Sequence, residues 1–280
     1  MSIGPRDFLK FILMGDVSPS PSGLCPLTPP KACATGFPQR PGSCQVFLDN
    51  YSCAEYELHE TNSIFPLVPT YGDRMRYTIR TEQPRDFKTV ENLTREAFWN
   101  VYRPGCAEHY VLHCYRSEPD FVPELSLVLE VDGEIIGHVM YAWSHIDADD
   151  GRKIRMMTFG PISIRPDYKR KGYGKILLDH SMRLAAEMGA GCLLICGNIA
   201  FYGKSGFVVA STRGIRYADD PESDAPYFLC KELQEGFLDG ITGSYRDPEP
   251  YFVAMRNPEA FEKYDAEFPP KEKLVLPGQL

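Results

Sequence analysis

The sequence contains no long apolar run. No stretch reaches the roughly 18 apolar residues that a membrane-spanning helix needs, and the N-terminal candidate, Phe8 to Met14, is short and includes Lys10. We therefore expect neither a transmembrane helix nor a cleaved secretory signal, which favours a soluble, cytoplasmic protein. An excess of basic residues is also absent, because 30 basic and 38 acidic residues give a formal charge of −8. This balance disfavours nucleic-acid and membrane partners and suits cationic or neutral substrates.

A metal-binding cysteine pattern is absent too. The chain has nine cysteines, and the first four are spaced 8, 11 and 9 residues apart, which matches no Cys-x-x-Cys framework. Cys192 and Cys196 flank three apolar residues, an arrangement typical of buried, unreactive thiols. We therefore expect no metal site and interpret all nine cysteines as structural or incidental. The first four are Cys25, Cys33, Cys44 and Cys53.

Residues 1–74 lack any periodic apolar pattern. They contain 10 of the 24 prolines, and proline interrupts both helices and strands. This composition predicts a low-order, proline-rich arm instead of a domain. We expect a complete domain to begin at Met75, and whether the natural start of translation lies there stays open.

From Met75 onwards the apolar residues recur with the periods of strands and helices. We expect a strand over 76–80, a helix from Pro84 to Val101, a hairpin of 125–131 and 135–143 around Asp132-Gly133, a strand over 156–164, a helix over 174–188 ended by Gly189, a strand over 192–196 and a helix over 201–204. Later elements are a last core strand over 227–233, a strand over 251–254 and a helix over 258–268. The predicted fold class is α/β (mixed α+β), a mixed sheet flanked by helices. We divide it into a domain over 75–233 and a C-terminal extension over 234–280 that packs on it.

A basic glycine loop lies between the strand that ends at Ile164 and the helix that follows. Gly172 and Gly174 free the backbone to turn N–H groups toward one point, and the helix N-terminus adds partial positive charge. Together with the surrounding cations this forms an anion site that suits a pyrophosphate. The cations are Lys169, Arg170, Lys171 and Lys175.

Two common phosphate loops do not match this stretch. A Walker A loop needs Gly where Lys169 stands and Ser or Thr where Ile176 stands, and a dinucleotide loop needs a third glycine where Leu177 stands. Considered alone, the loop could also be a basic surface turn.

A second motif follows 24 residues after Gly174. It runs from Asn198 through Phe201-Tyr202 to Gly206-Phe207, directly after the buried strand. With the basic loop at this spacing, the chain resembles the GNAT superfamily of acetyl-CoA-dependent N-acetyltransferases over roughly 75–230. The stretch Tyr227–Leu233 resembles the last core strand of a predicted bacterial-type N-acetyltransferase subgroup that has a C-terminal extension. The family usually has Gln or Arg where Lys169 stands.

The resemblance implies a GNAT-like sheet in which the strand before the loop carries a bulge and separates from the next parallel strand. The acyl-pantetheine arm of acetyl-CoA would lie in that gap, and a free amine would attack the thioester directly. Tyr202 matches the tyrosine that protonates the departing thiolate, with a packed aromatic as the alternative. Asn198 matches a residue that contacts the pantetheine arm, with a helix cap as the alternative. The implied cofactor-binding residues are Ile162, Ser163 and Ile164 for the arm, Lys169, Arg170, Lys171, Gly172, Tyr173, Gly174 and Lys175 for the pyrophosphate, and Asn198.

The general base stays unassigned. Glu130, His138 and His145 lie on or beside the predicted hairpin that would face the acceptor, and water chains serve this role in some relatives.

The sequence supports three function hypotheses. The first is an N-acetyltransferase that uses acetyl-CoA and no metal, acting on a primary amine of a small molecule or a protein, with a homodimer left open. The second is a catalytically idle acyl-CoA sensor or interaction module. The third, a nucleic-acid-binding protein, conflicts with the net charge.

We expect that deletion of residues 1–74 leaves the remaining chain folded and able to bind acetyl-CoA, because the arm offers no periodic apolar face to a core. Melting curves of the full and shortened chains, with and without acetyl-CoA, measure both properties. Loss of cooperative unfolding in the shortened chain would show that the arm belongs to the core.

Overall fold

The structure is a computed structural model that describes residues 76–277 and 279. The predicted arm over 1–74 lies outside these residues. The described chain forms one mixed sheet, which runs β1-β2-β3-β4-β5-β8-β6, while β9 pairs with both β3 and β7. The strands are β1 (Tyr77–Thr81), β2 (Leu127–Val131), β3 (Glu134–Ala148), β4 (Lys153–Ile164), β5 (Cys192–Cys196), β6 (Val208–Val209), β7 (Ile215–Tyr217), β8 (Phe228–Glu232) and β9 (Gly243–Tyr245).

Most of the helices pack against this sheet, whereas the last of them packs in a separate apolar cluster. They are α1 (Phe87–Phe98), α2 (Glu108–Tyr115), α3 (Tyr173–Glu187), α4 (Ile199–Tyr202), α5 (Val253–Arg256) and α6 (Pro258–Asp265). A hydrogen bond from the Ser163 hydroxyl to the Thr94 hydroxyl joins β4 to α1 at 3.0 Å, and the hydroxyls of Tyr141 and Ser181 join β3 to α3 at 2.8 Å. The predicted mixed α/β class is confirmed. No helix of the described residues is long and apolar enough to cross a membrane.

The β2–β3 hairpin turns where the sequence predicts it. Asp132 and Gly133 both have positive φ angles, 51° and 83°, as a two-residue turn of the twisted-hairpin type requires. The return strand is longer than predicted, because β3 continues past Trp143 to pair with β4 and then with β9.

Strands β4 and β5 are parallel, but they pair at one position only, Met157 with Leu193. Beyond that position β4 continues to Ile164 without a partner on β5. On its other side, β4 has a register shift against β3 between Val139 and Tyr141, which is a β-bulge. A split therefore opens between two neighbouring strands of the sheet, next to a bulge.

The prediction of a strand over 251–254 is wrong. Residues Glu249–Phe252 form a 3-10 turn that leads into α5. Pro248 and Pro250 explain the difference, because proline fits the first turn of a helix and cannot donate to a sheet. The next helix ends at Asp265 instead of 268, and α2 was not predicted because its apolar residues do not follow one face.

The residues after 233 contact α1 through a buried charge. The Arg95 side chain, 2% exposed, donates from Nε to Asp265 at 2.8 Å and from Nη1 to the Pro269 carbonyl at 3.1 Å. Burial raises the pKa of Asp265, but hydrogen bonds from His109 and Arg95 outweigh it and hold the pKa well below its usual range. A buried pair of this kind is costly to break from one side, by about 3–5 kcal/mol.

Candidate active site

A cavity of about 390 Å³ occupies the split between β4 and the loop and helix that follow β5. Its inner wall is apolar and comes from three elements. These are α1 and the residues after it with Ala97, Phe98 and Val101, β4 with Ile162 and Ile164, and α4 with Phe201 and Tyr202. A narrow apolar cleft with polar groups at one end suits an elongated ligand.

The backbone of β4 presents hydrogen-bonding groups to this cleft. The Arg165 N–H donates to the Ile136 carbonyl on β3 at 2.8 Å, and paired residues in an antiparallel ladder alternate between bonded and non-bonded positions. In the register of β3 and β4, Ser163 therefore occupies a hydrogen-bonded position. Ile162 and Ile164 occupy the alternate positions, so their N–H and C=O groups point away from β3 and toward the split. Pro161 has no N–H, so Ile162 supplies the first donor after the bulge.

The basic loop forms the opposite, polar end of the cavity. Gly172 precedes α3 with φ +87°, and Arg170 has φ +62°, so the loop curls into a concave turn that leads into α3. The residue that precedes α3 is Gly172, which has no side chain to cap the helix, and the partial positive charge of the first N–H groups favours an anion there. None of the described lining residues is acidic, and the lining cations are Lys169, Arg170, Lys175 and Lys204.

The cations of the loop differ in what they contact. Lys169 donates from Nζ to the Ala97 carbonyl at 3.1 Å, near the carboxyl end of α1, where a cation is favourable. Lys175 pairs with Asp179. Lys171 lies 4.8 Å from the centre of the Tyr168 ring and, like Ser163, Tyr173 and Asn198, is not among the lining residues.

The two glycines of the loop act in different ways. At Gly172 an added Cβ would meet nothing within 4 Å, so the reason for glycine at this position is its positive φ. At Gly174 an added Cβ would lie 3.5 Å from Phe201 and 3.6 Å from Ile164. A side chain at this position would occupy the cleft, so glycine leaves room for a ligand to approach the backbone.

Tyr202 is fully buried at the inner end of the cavity. Its ring packs against Phe159, Phe201 and Phe207 at centroid distances of 5.9, 4.8 and 5.5 Å. Burial raises the pKa of the Tyr202 phenol, so the hydroxyl keeps its proton at neutral pH and can donate it. Asn198 caps α4, because its side chain accepts from the Ala200 N–H at 2.8 Å.

The three residues considered as a base are all held in other contacts. His138 is fully buried, and its Nε2 lies 3.1 Å from the Ser126 hydroxyl and 3.7 Å from Glu82. Glu130 accepts from Arg80 at 2.6 Å. His145 is 45% exposed and pairs with Asp147 at 3.4 Å.

A buried carboxylate lies beside the end of β5, contributed by a residue that the sequence did not single out. Asp247 is 4% exposed and accepts hydrogen bonds from the hydroxyls of Tyr217 at 3.0 Å and Tyr245 at 2.9 Å, and from Cys196 Sγ at 3.8 Å. Burial raises its pKa to about 6, against the lowering by these hydrogen bonds.

Comparison with known proteins shows which family the chain resembles. Residues 92–207 match the Acetyltransferase (GNAT) family. The chain is 26% identical over 165 residues to the uncharacterized N-acetyltransferase YhbS of Escherichia coli K12, which covers 59% of this chain and 92% of that protein. The chain is thus similar to the GNAT acetyltransferase family over residues 92–207 and to YhbS over most of the length of that protein.

Two crystal structures show the same fold. The Escherichia coli YhbS structure in complex with CoA aligns with a TM-score of 0.54 at 23% identity, covering 65% of this chain and 95% of that one. A GNAT family acetyltransferase from Brucella melitensis in complex with acetyl-CoA aligns with a TM-score of 0.50 at 22% identity, covering 64% and 99%.

Sequence reasoning missed part of the cavity wall. Ala97, Phe98 and Val101 fall within the helix predicted from Pro84 to Val101, but an apolar helical period does not distinguish a core contact from a ligand contact. Phe201 carried a signal, since it belongs to the motif around Tyr202. Tyr168 and Lys204 carried none beyond their nearness to the two motifs.

The buried Asp247 predicts an unusual pH dependence of stability. Its pKa is about 6 in the folded chain against an ordinary 3.8, so as pH rises the unfolded chain releases the proton first. The stability that protonated Asp247 contributes, about 3 kcal/mol, is full below about pH 4 and lost by about pH 6. We expect Asp247→Asn to stabilise the protein at neutral pH and to change it little at pH 4.

Denaturant unfolding of both proteins across this pH range measures the difference between their free energies of unfolding. The other carboxyl groups are common to both proteins, so this difference reports on Asp247 alone. An equal destabilisation at both ends of the range would contradict the role of burial.

Proposed function

We propose that the protein transfers an acetyl group from acetyl-CoA to a primary amine by direct attack. The observation that carries the proposal is the cleft between β4 and β5, which is apolar inside and lined by four cations, three of them in the loop and first turn of α3 and one, Lys204, after α4. Acetyl-CoA has the matching shape, a thin pantetheine arm that ends in a pyrophosphate. The acceptor is an amine of a small molecule or a protein.

Each part of the site has a role in this proposal. The backbone groups of Ile162 and Ile164 bind the amides of the pantetheine arm, as an added strand would. The N–H groups over 170–175, which include the first turn of α3, bind the pyrophosphate. The Ile162 N–H is the donor nearest the bulge and polarises the thioester carbonyl as negative charge develops on its oxygen.

The reaction needs no covalent enzyme intermediate. The neutral amine attacks the thioester carbon, an N–C bond forms, the C–S bond breaks, and the sulfur leaves as a thiolate. The Tyr202 hydroxyl gives the thiolate a proton, and the attacking nitrogen loses one proton as the amide forms, so the reaction consumes no net proton. Cys192 and Cys196 take no part, because burial raises the pKa of both thiols far above neutrality.

The competing function is an acyl-CoA-binding sensor without turnover. It would use the same cleft, and the buried hydroxyl of Tyr202 would then be a packing group only. Release of free CoA thiol that depends on added amine separates the two functions.

Binding is tested by two matched glycine variants. Gly172 and Gly189 stand at the two ends of α3, both with positive φ and with open space for a Cβ, so Gly172→Ala and Gly189→Ala cost similar stability, about 1–2 kcal/mol each. Only Gly172 lines the cavity. We expect acetyl-CoA to raise the melting temperature of wild type and Gly189→Ala, and to raise that of Gly172→Ala much less.

The comparison has two contrary outcomes. If millimolar acetyl-CoA does not shift the melting temperature of the wild type, acetyl-CoA is not the acetyl donor. If acetyl-CoA shifts the melting temperatures of both variants equally, the loop is not part of the acetyl-CoA site.

Proton donation is tested by Tyr202→Phe. We expect turnover to fall by about 10²-fold while the affinity for acetyl-CoA stays within a few-fold, because the hydroxyl acts as the thiolate leaves. Tyr141→Phe is the matched control, since Tyr141 is equally buried and packs on Phe159 but does not line the cavity. Single-turnover rates at saturating acetyl-CoA report the step directly, and a wild-type rate for Tyr202→Phe assigns the proton to another donor.

A further inference from the structure

A second recess adjoins the cavity described above. It has a volume of about 480 Å³, is open to solvent, and lies between one side of α3, the turn after α4 and the end of β8. Lys175, in the first turn of α3, and Lys204, in the turn after α4, line both the cavity and the recess. A ligand that fills the cavity can therefore extend into the recess past these two side chains.

The recess is lined by four cations and two carboxylates. The cations are Lys175, Arg183, Lys204 and Lys231, and the carboxylates are Asp179 and Glu232. Whether the recess can bind an anion depends on which of these cations already have a counter-charge within the protein.

Asp179 is the carboxylate on the α3 side, and it is occupied. It accepts from Lys175 Nζ and, at 2.8 Å, from the Ser205 hydroxyl. The second hydrogen bond joins α3 to the turn after α4 and so fixes the backbone that carries Lys204.

Glu232 is the carboxylate at the end of β8, and it is occupied as well. It accepts from Arg213 at 2.8 Å and from the Leu238 N–H at 2.8 Å. Neither of these partners lines the recess. The negative charge of Glu232 is therefore used by groups outside the recess.

Two of the four cations have no partner. Lys204 and Lys231 form no hydrogen bond or ion pair with any residue of the described chain, whereas Arg183 pairs with Glu187 one turn further along α3. The recess thus has two ammonium groups whose charge is not neutralised within the described structure.

The Lys231 ammonium group is held in a half-buried position. Val208 on β6 pairs with Cys230 on β8, which brings the turn before β6 next to Lys231. The Lys231 Nζ lies over Gly206, where an added Cβ would be 2.7 Å from it. A cation that loses part of its water without a counter-charge costs free energy, which a bound anion would recover.

The proposed donor has a second anionic group beyond its pyrophosphate. CoA continues from the pyrophosphate into an adenosine whose ribose carries a phosphate at the 3′ position. A phosphate monoester carries about 1.5 to 2 negative charges at pH 7. With the pyrophosphate at the start of α3, this phosphate follows at the mouth of the cavity, where Lys175 and Lys204 lead into the recess.

We propose that Lys204 and Lys231 bind the 3′-phosphate of acetyl-CoA, so that the protein selects CoA over 3′-dephospho-CoA. This inference rests on the proposed function, because it requires acetyl-CoA to fill the cavity. It adds a specificity site for the donor that is separate from the glycine loop.

The test compares two donors that differ by one phosphate. Isothermal titration calorimetry of the full chain measures the Kd of acetyl-CoA and of acetyl-3′-dephospho-CoA. We expect the wild type to bind acetyl-CoA about tenfold more tightly, because two partly exposed ion pairs contribute modestly. High salt should reduce this preference, since it screens exposed charges.

The two lysines are tested by Lys204→Gln and Lys231→Gln, which remove one charge each. We expect each variant to lower the preference for acetyl-CoA to about threefold and the double variant to abolish it. The Kd of acetyl-3′-dephospho-CoA should stay unchanged, which also shows that the variants are folded with an intact cleft.

Lys263→Gln is the matched control for the change in net charge. Lys263 is an exposed lysine on α6 that also has no ion pair among the described residues, and it lines neither the cavity nor the recess. We expect this variant to keep the full preference for acetyl-CoA.

The contrary outcomes are distinct. Equal Kd values for the two donors in the wild type would overturn the proposal, and binding of inorganic phosphate alone would then assign the recess to a free anion. A full preference in the double variant would assign the 3′-phosphate to other groups. Equal losses for both donors would place the two lysines at the pyrophosphate. If neither donor binds, the proposed function fails, and this site fails with it.

Discussion

The pairing of β4 with β5 at Met157 and Leu193 is the constraint on which the rest of the structure depends. Had the two parallel strands continued together, the backbone of Ile162 and Ile164 would be used by the sheet. Because the ladder stops, these groups stay free and the sheet opens into a cavity. The bulge on the opposite side of β4 follows from the same need, since it lets β4 bend away while keeping its pairs with β3.

A strongly acidic chain carries a locally positive site. The formal charge is −8, yet the cavity is lined by four cations and the start of α3. The loop concentrates this charge because Arg170 and Gly172 both adopt positive φ angles. Lys169 stands where the GNAT family usually has Gln or Arg, and it has a structural role here. Its ammonium group joins the loop to α1 through a hydrogen bond to the Ala97 carbonyl. The glycine loop and the helical wall of the cavity are thereby held as one unit.

The sequence predicted the parts of the site that local pattern encodes, and missed those that depend on distant contacts. The glycine loop and the motif around Tyr202 are contiguous, so their elements were recognisable, and the structure brings them to one cavity. Asp247 was not predicted, because nothing around it differs from a polar loop until Tyr217 and Cys196 meet it in space. The strand over 251–254 failed because aromatic and β-branched residues outweighed the flanking prolines, although Tyr251 donates to the Gly160 carbonyl at the bulge from a helical turn.

The last described residues have an effect on the cavity that their position in the chain conceals. The Glu272 carbonyl accepts from Trp99 and Asn100, and Gln279 donates to the Asn100 carbonyl at 2.8 Å. These residues follow α1 directly, between Phe98 and Val101 of the cavity wall. The segment after α6 thus holds the part of the cavity wall between Phe98 and Val101 in place, so substitutions at these contacts would change the shape of the cavity.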